Sequence, residues 1–110
     1  MSALLITVGR FRKDGEEALR QYVAGVVPLI TAAGGELVSR GRPKETVVGG
    51  ADHQPDLIAV MRFPKADAIR TFLASDAYRA HLGFRNEAFE DLRSYIADDL
   101  MAMSAETPPT

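Results

Sequence analysis

Three side chains able to do chemistry stand close together in the carboxy-terminal half of the sequence: Tyr78, His81 and Arg85. Steps of three and four residues put Tyr78 and Arg85 on one helix face with Leu82, Phe89 and Leu92, and place His81 one turn before Arg85. A guanidinium among apolar neighbours needs an acceptor, because an unpaired cation taken out of water is costly. Two arrangements meet that need. In the first, an internal carboxylate or carbonyl ties the helix to the rest of the fold, with the arginine stem alone buried. In the second, Arg85 is an anion clamp, Tyr22 and Tyr78 offer phenolic hydroxyls over an apolar pocket, and Arg62 brings a second cation from a strand. Catalysis in such a pocket would use His81 as acid or base, Arg85 as electrostatic stabiliser and Tyr78 as a positioning donor. Tyr22 is equally well explained as part of a helix core.

Composition removes most competing chemistries. Cysteine is absent, so thiolate nucleophiles, disulfides and cysteine-ligated metals do not arise. His53 and His81 match no metal-binding spacing, and neither carries the flanking sequence of a haem ligand. No cofactor and no metal are therefore expected. Gly34-Gly35 and Gly49-Gly50 lack the spacing of phosphate-cradling loops and are turn glycines. Arg10, Arg12 and Lys13 form a short basic cluster that reads as a solvated loop. Thirteen basic residues against fifteen acidic ones leave a net charge of −2, which gives a phosphate polymer no global attraction. Nucleic acid is not an expected partner. No apolar run approaches the roughly 20 residues of a membrane span. The basic cluster follows the first apolar run instead of preceding it, so a cytoplasmic setting is expected.

These side chains must be positioned by a small number of elements, since 110 residues hold one domain with one core. Ala3 to Gly9 is apolar and rich in β-branched residues, which predicts a first strand. Asp14 and Glu17 are spaced as a capping box, and Leu19, Tyr22, Val23, Val26, Ile30 and Ala33 draw one apolar helical stripe that Gly34-Gly35 ends. Pro28 lies inside that stripe and predicts a bend or a local loosening. Glu36–Arg42 and Glu45–Val48 read as a hairpin across Pro43, and Leu57–Phe63 as a further buried strand. Lys65–Leu73 reads as a short helix, Ser75 as the cap of a second helical stretch running to about Leu92, and Ser94–Ala97 as a closing strand. Residues 1–103 form the expected domain and 104–110 a mobile tail. The order is ferredoxin-like, β-α-β-β-α-β with a split second helix, an α+β fold. Both helices would cover one sheet face and leave the other apolar and bare, which predicts a homodimer closed as a dimeric α/β barrel.

The run Tyr22, Pro28, Gly34-Gly35, Arg40-Gly41, Phe63-Pro64, Ser75-x-x-Tyr78 and Arg85, spread over Thr7 to Leu100, resembles the dimeric α/β-barrel family known as domain of unknown function 1330. The resemblance implies the same fold and the same dimer. Two positions depart from the family pattern: Gly49 stands before Gly50, and Arg62 before Phe63-Pro64, where relatives commonly carry an acidic residue. The wider superfamily includes cofactor-independent oxygenases, haem-using enzymes and lactone isomerases, and a shared fold does not choose among them. The expectation is a small protein that binds an apolar or anionic metabolite in a cleft between helices and sheet. The alternative is a cofactor-independent enzyme, oxygenase- or isomerase-like, acting on a small aromatic or carbonyl substrate.

Overall fold

Alternation decides the sheet. β1 (Ala3–Phe11) buries Ala3, Leu5 and Gly9, with Thr7 on the same face partly buried, and β3 (Leu57–Phe63) buries every second residue from Ala59 through Met61 to Phe63. The computed structural model describes residues 2–102, so the tail expected over 104–110 lies outside the described residues. The remaining elements are α1 (Glu16–Ala32), β2 (Glu36–Gly41), a 3-10 turn at Ala51–His53, α2 (Ala66–Ala74), α3 (Asp76–Arg79), α4 (Leu82–Ala88) and β4 (Phe89–Asp98). The four strands form one antiparallel sheet in the order β2-β3-β1-β4. The described chain thus has the β-α-β-β-α-β order of a ferredoxin-like fold.

The helices lie on one face of the sheet. Val26 of α1 and Ile69 and Phe72 of α2 meet Leu5, Met61 and Phe63 in the main core, where Phe63 and Ile69 are fully buried. Removing such a side chain from water is worth about 1.5–3 kcal/mol. A second cluster joins Ala18, Ala88 and Phe89 at the other end. The opposite sheet face carries Leu4, Ile6, Val8, Ile58, Val60 and Tyr95, and no element of the described chain covers it. The Cα atoms fill a slab 16 Å thin, the depth of two layers.

The end of α1 follows its glycines. Gly34 takes φ +87°, its N–H donates to the Thr31 carbonyl at 3.0 Å, and Gly35 N–H donates to the Ile30 carbonyl at 2.8 Å, the paired bonds of a Schellman motif. α1 runs unbroken through Pro28. Ala24, whose carbonyl loses the proline's missing N–H, lies on the exposed side where water can serve it.

Three expectations are corrected. Asp14 does not cap α1: it adopts φ +65° and Gly15 is the N-cap, with no side-chain bond. The chain turns tightly there, and a Cβ at Gly15 would lie 2.8 Å from the Glu87 carbonyl. The hairpin across Pro43 does not form; β2 pairs with β3 instead, and Val47 and Val48 are exposed. A two-residue hairpin turn needs positive φ, which proline cannot adopt. The helical stretch ends at Ala88, not near Leu92, and is broken at Ala80-His81. Phe89 and Leu92 belong to β4, because the free edge of β1 offers a ladder from Ala3↔Asp98 to Phe11↔Phe89 that satisfies more backbone than another helical turn.

Candidate functional site

The phenols of α1 and α3 meet above the sheet. The hydroxyls of Tyr22 and Tyr78 are 3.0 Å apart, and Arg85 Nη1 donates to the Tyr78 oxygen at 3.1 Å. Helical phase places Tyr22 on the inner side of α1, and the Ser75 hydroxyl, accepting from Tyr78 N–H at 3.1 Å, caps α3 and sets the direction of Tyr78. Phe89 supports the pair from the strand, with its ring edge-on to Tyr22 at 6.2 Å, and Phe72 lies 5.1 Å from the Tyr78 ring. Burial, and then the bond to Tyr78, push the Tyr22 phenol above the ordinary tyrosine range, against the opposing pull of Arg85. Tyr22 is therefore a neutral hydrogen-bonding group at any physiological pH.

Arg85 sits at the boundary between this buried pair and a cleft of about 430 Å³ that it lines with Arg12, Phe89, Leu92 and Ser94. Its guanidinium is half-buried, and among the described residues no carboxylate comes within 4.0 Å of it. The Tyr78 hydroxyl is its side-chain partner, so most of its donors remain for another acceptor. Phe89 and Leu92 supply the smaller, apolar part of a lining that Asn86 and Glu90 complete and that is mostly polar. Ser94, whose hydroxyl is 3.0 Å from that of Thr7, adds a polar group from the sheet. The arrangement can hold a carboxylate or carbonyl.

The other two residues singled out from the sequence lie apart. Arg62 stands on the uncovered sheet face, where its Nε donates to Asp99 at 2.9 Å and its Nη1 to Glu36 at 3.1 Å. An arginine before Phe63-Pro64 thus has an internal ion-pair role in this chain. His81 does not line the cleft. Its ring lies against Gly25, where a Cβ would come within 2.2 Å, and stacks on Phe84 at 6.4 Å; its Nδ1 is buried with no hydrogen-bond partner among the described residues.

Two features were missed in the sequence. Arg12 looked like loop charge, yet its Nε donates to the Asn86 carbonyl at 2.7 Å and brings it to the cleft. Asp99, 2 % exposed, accepts from Ser2 Oγ at 2.8 Å, from Arg62, and from the N–H groups of Met101 and Ala102. Those bonds, Arg62 first, hold its carboxyl below the usual aspartate range. Asp99 followed by a short apolar turn is a cap signal that could have been read. Among the described residues there is no grouping of three or more His, Asp or Glu able to hold a metal, and no helix is long and apolar enough to cross a membrane.

Solved structures with the same fold are numerous. A protein of unknown function from Rhodopseudomonas palustris superposes with a TM-score of 0.78 at 22% identity, over 88% of this chain and 81% of that one. A dimeric protein of unknown function and ferredoxin-like fold from Bacteroides fragilis gives 0.61 at 10% identity, over 88% and 95%. A protein of unknown function from the nipsnap family of Agrobacterium tumefaciens gives 0.61 at 15%, over 89% and 90%. At these identities the likeness is one of fold. No curated protein matches the sequence. The family match is more extensive, covering residues 5–99, and the chain belongs to the family described as Domain of unknown function (DUF1330).

Proposed function

We propose that residues 1–103 act as a single domain that pairs with a second copy through the uncovered sheet face, and that each copy binds a small apolar or anionic metabolite in the cleft at Arg85. The observation that carries the binding reading is the state of Arg85: a guanidinium lining the cleft, hydrogen-bonded to the Tyr78 hydroxyl and to no carboxylate among the described residues. Binding is favoured over turnover because His81, the candidate acid or base, stands outside that lining. The dimer is supported by the run of apolar side chains on the open face and by structural neighbours that are themselves described as dimeric.

Isothermal titration with benzoate, a small aromatic monoanion, tests the site. The parent binds it and Arg85→Met loses at least about tenfold in affinity while keeping the fold, since methionine retains apolar volume. Equal binding by both proteins refutes the role of Arg85. Light scattering after size exclusion tests the pairing, with twice the 11.9 kDa chain mass expected and the single mass refuting it.

A further inference from the structure

We infer that the ligand of this cleft is a small dicarboxylate, one acid held by Arg85 and the other by Arg12. The inference rests on the binding reading above and adds the charge of the ligand. Both guanidiniums line the same cleft. Arg12 is held there by the carboxy-terminal end of α4: its backbone N–H donates to the Ala88 carbonyl at 2.9 Å and its Nε to that of Asn86 at 2.7 Å. The negative end of a helix is a natural seat for a cation. Anchorage through Nε leaves both terminal nitrogens of Arg12 without a hydrogen bond among the described residues, a fork suited to a carboxylate.

Two guanidiniums face the cleft against one acid in its lining, Glu90, which also lies 3.7 Å from Arg10. A dianion can pair with both guanidiniums, where a monoanion leaves one of them without an acid partner. The neighbouring groove, of about 590 Å³, shares Arg12 but carries Asp14, Glu17 and Glu87, so it repels anions. The second acid is thereby confined to the Arg85 side. Phe89 and Leu92 also line the cleft, beside Asn86 and Ser94.

Titration of the parent, Arg12→Met, Arg12→Lys and Arg85→Met with isophthalate, benzoate and phenyl phosphate at low ionic strength separates the outcomes. The parent should bind isophthalate about tenfold more tightly than benzoate. Arg12→Met should erase most of that preference by weakening isophthalate more than benzoate, Arg12→Lys should retain part of it, and Arg85→Met should weaken both ligands. Thermal unfolding of each variant confirms that it is folded. Equal affinity of the parent for isophthalate and benzoate overturns the dicarboxylate inference and leaves the Arg85 site standing. Phenyl phosphate binding more tightly than isophthalate also overturns it, because a single headgroup then suffices. Absence of binding by all three ligands overturns both readings.

Discussion

Replacing Tyr78 by phenylalanine isolates the hydrogen-bond chain at the helix junction, since the ring and its contact with Phe72 are kept. The lost hydroxyl makes two contacts, one with Tyr22 at 3.0 Å and one with Arg85 at 3.1 Å. A neutral hydrogen bond contributes about 1 kcal/mol and one to a charged donor about 1.5–3 kcal/mol. Arg85 is half-exposed and can regain water, so the lower end of that range applies to it. Stranding the Tyr22 hydroxyl adds a desolvation cost, and Tyr78→Phe should destabilise by about 2–3 kcal/mol. Tyr22→Phe loses only the neutral bond and leaves Tyr78 with Arg85, so about 1 kcal/mol is expected. The double variant has no stranded hydroxyl. It should be no less stable than Tyr78→Phe alone, a coupling of about 1 kcal/mol between the two positions. Urea unfolding followed by circular dichroism, at one fixed protein concentration, measures all three. Additive losses, or a Tyr22→Phe variant less stable than Tyr78→Phe, would refute the chain as drawn.

Gly25→Ala should cost about 1–3 kcal/mol, because its Cβ would sit 2.2 Å from His81 Cε1, and His81→Ala in the same chain should recover most of the loss in a thermal melt. Gly34→Ala, at φ +87°, should lower stability by about 1 kcal/mol, again by denaturant unfolding. The folded-state pKa of Asp99 is depressed, so its contribution is present above the ordinary aspartate value and is lost as pH falls through the folded value. Asp99→Asn should therefore unfold more easily than the parent at pH 7, with the gap closing in strong acid; a constant gap across that range would refute the pairing with Arg62.

Local pattern was enough for most of the fold. The apolar run Leu57–Phe63, the three- and four-residue steps of α1 and the glycine pair that ends it are short-range signals, and each appears where the residues place it. Ser75 as a cap is equally local. Tyr22, Tyr78 and Arg85 were legible as a group because two of them share a helical spacing and the third lies on an inward stripe.

What local pattern could not decide was competition for backbone partners. Phe89 and Leu92 satisfy a helical step from Arg85 as well as they satisfy a strand, and the choice falls to β1, whose unpaired edge draws residues 89–98 into a ladder. Glu45–Val48 has strand composition but no turn that would pair it, so β2 takes its partner from fifteen residues further on. The site divides in the same way. Arg62 was grouped with Arg85 by charge, yet strand alternation and the carboxylates of Asp99 and Glu36 hold it on the other face. Arg12 became a cleft residue through a carbonyl 74 positions away in the sequence, a contact that only the packing of α4 against the end of β1 creates. Residue type and short-range spacing thus determined which groups this protein has to work with; which of them share a cleft was decided by long-range pairing, because backbone groups and charges take whichever partner the closed fold brings within reach.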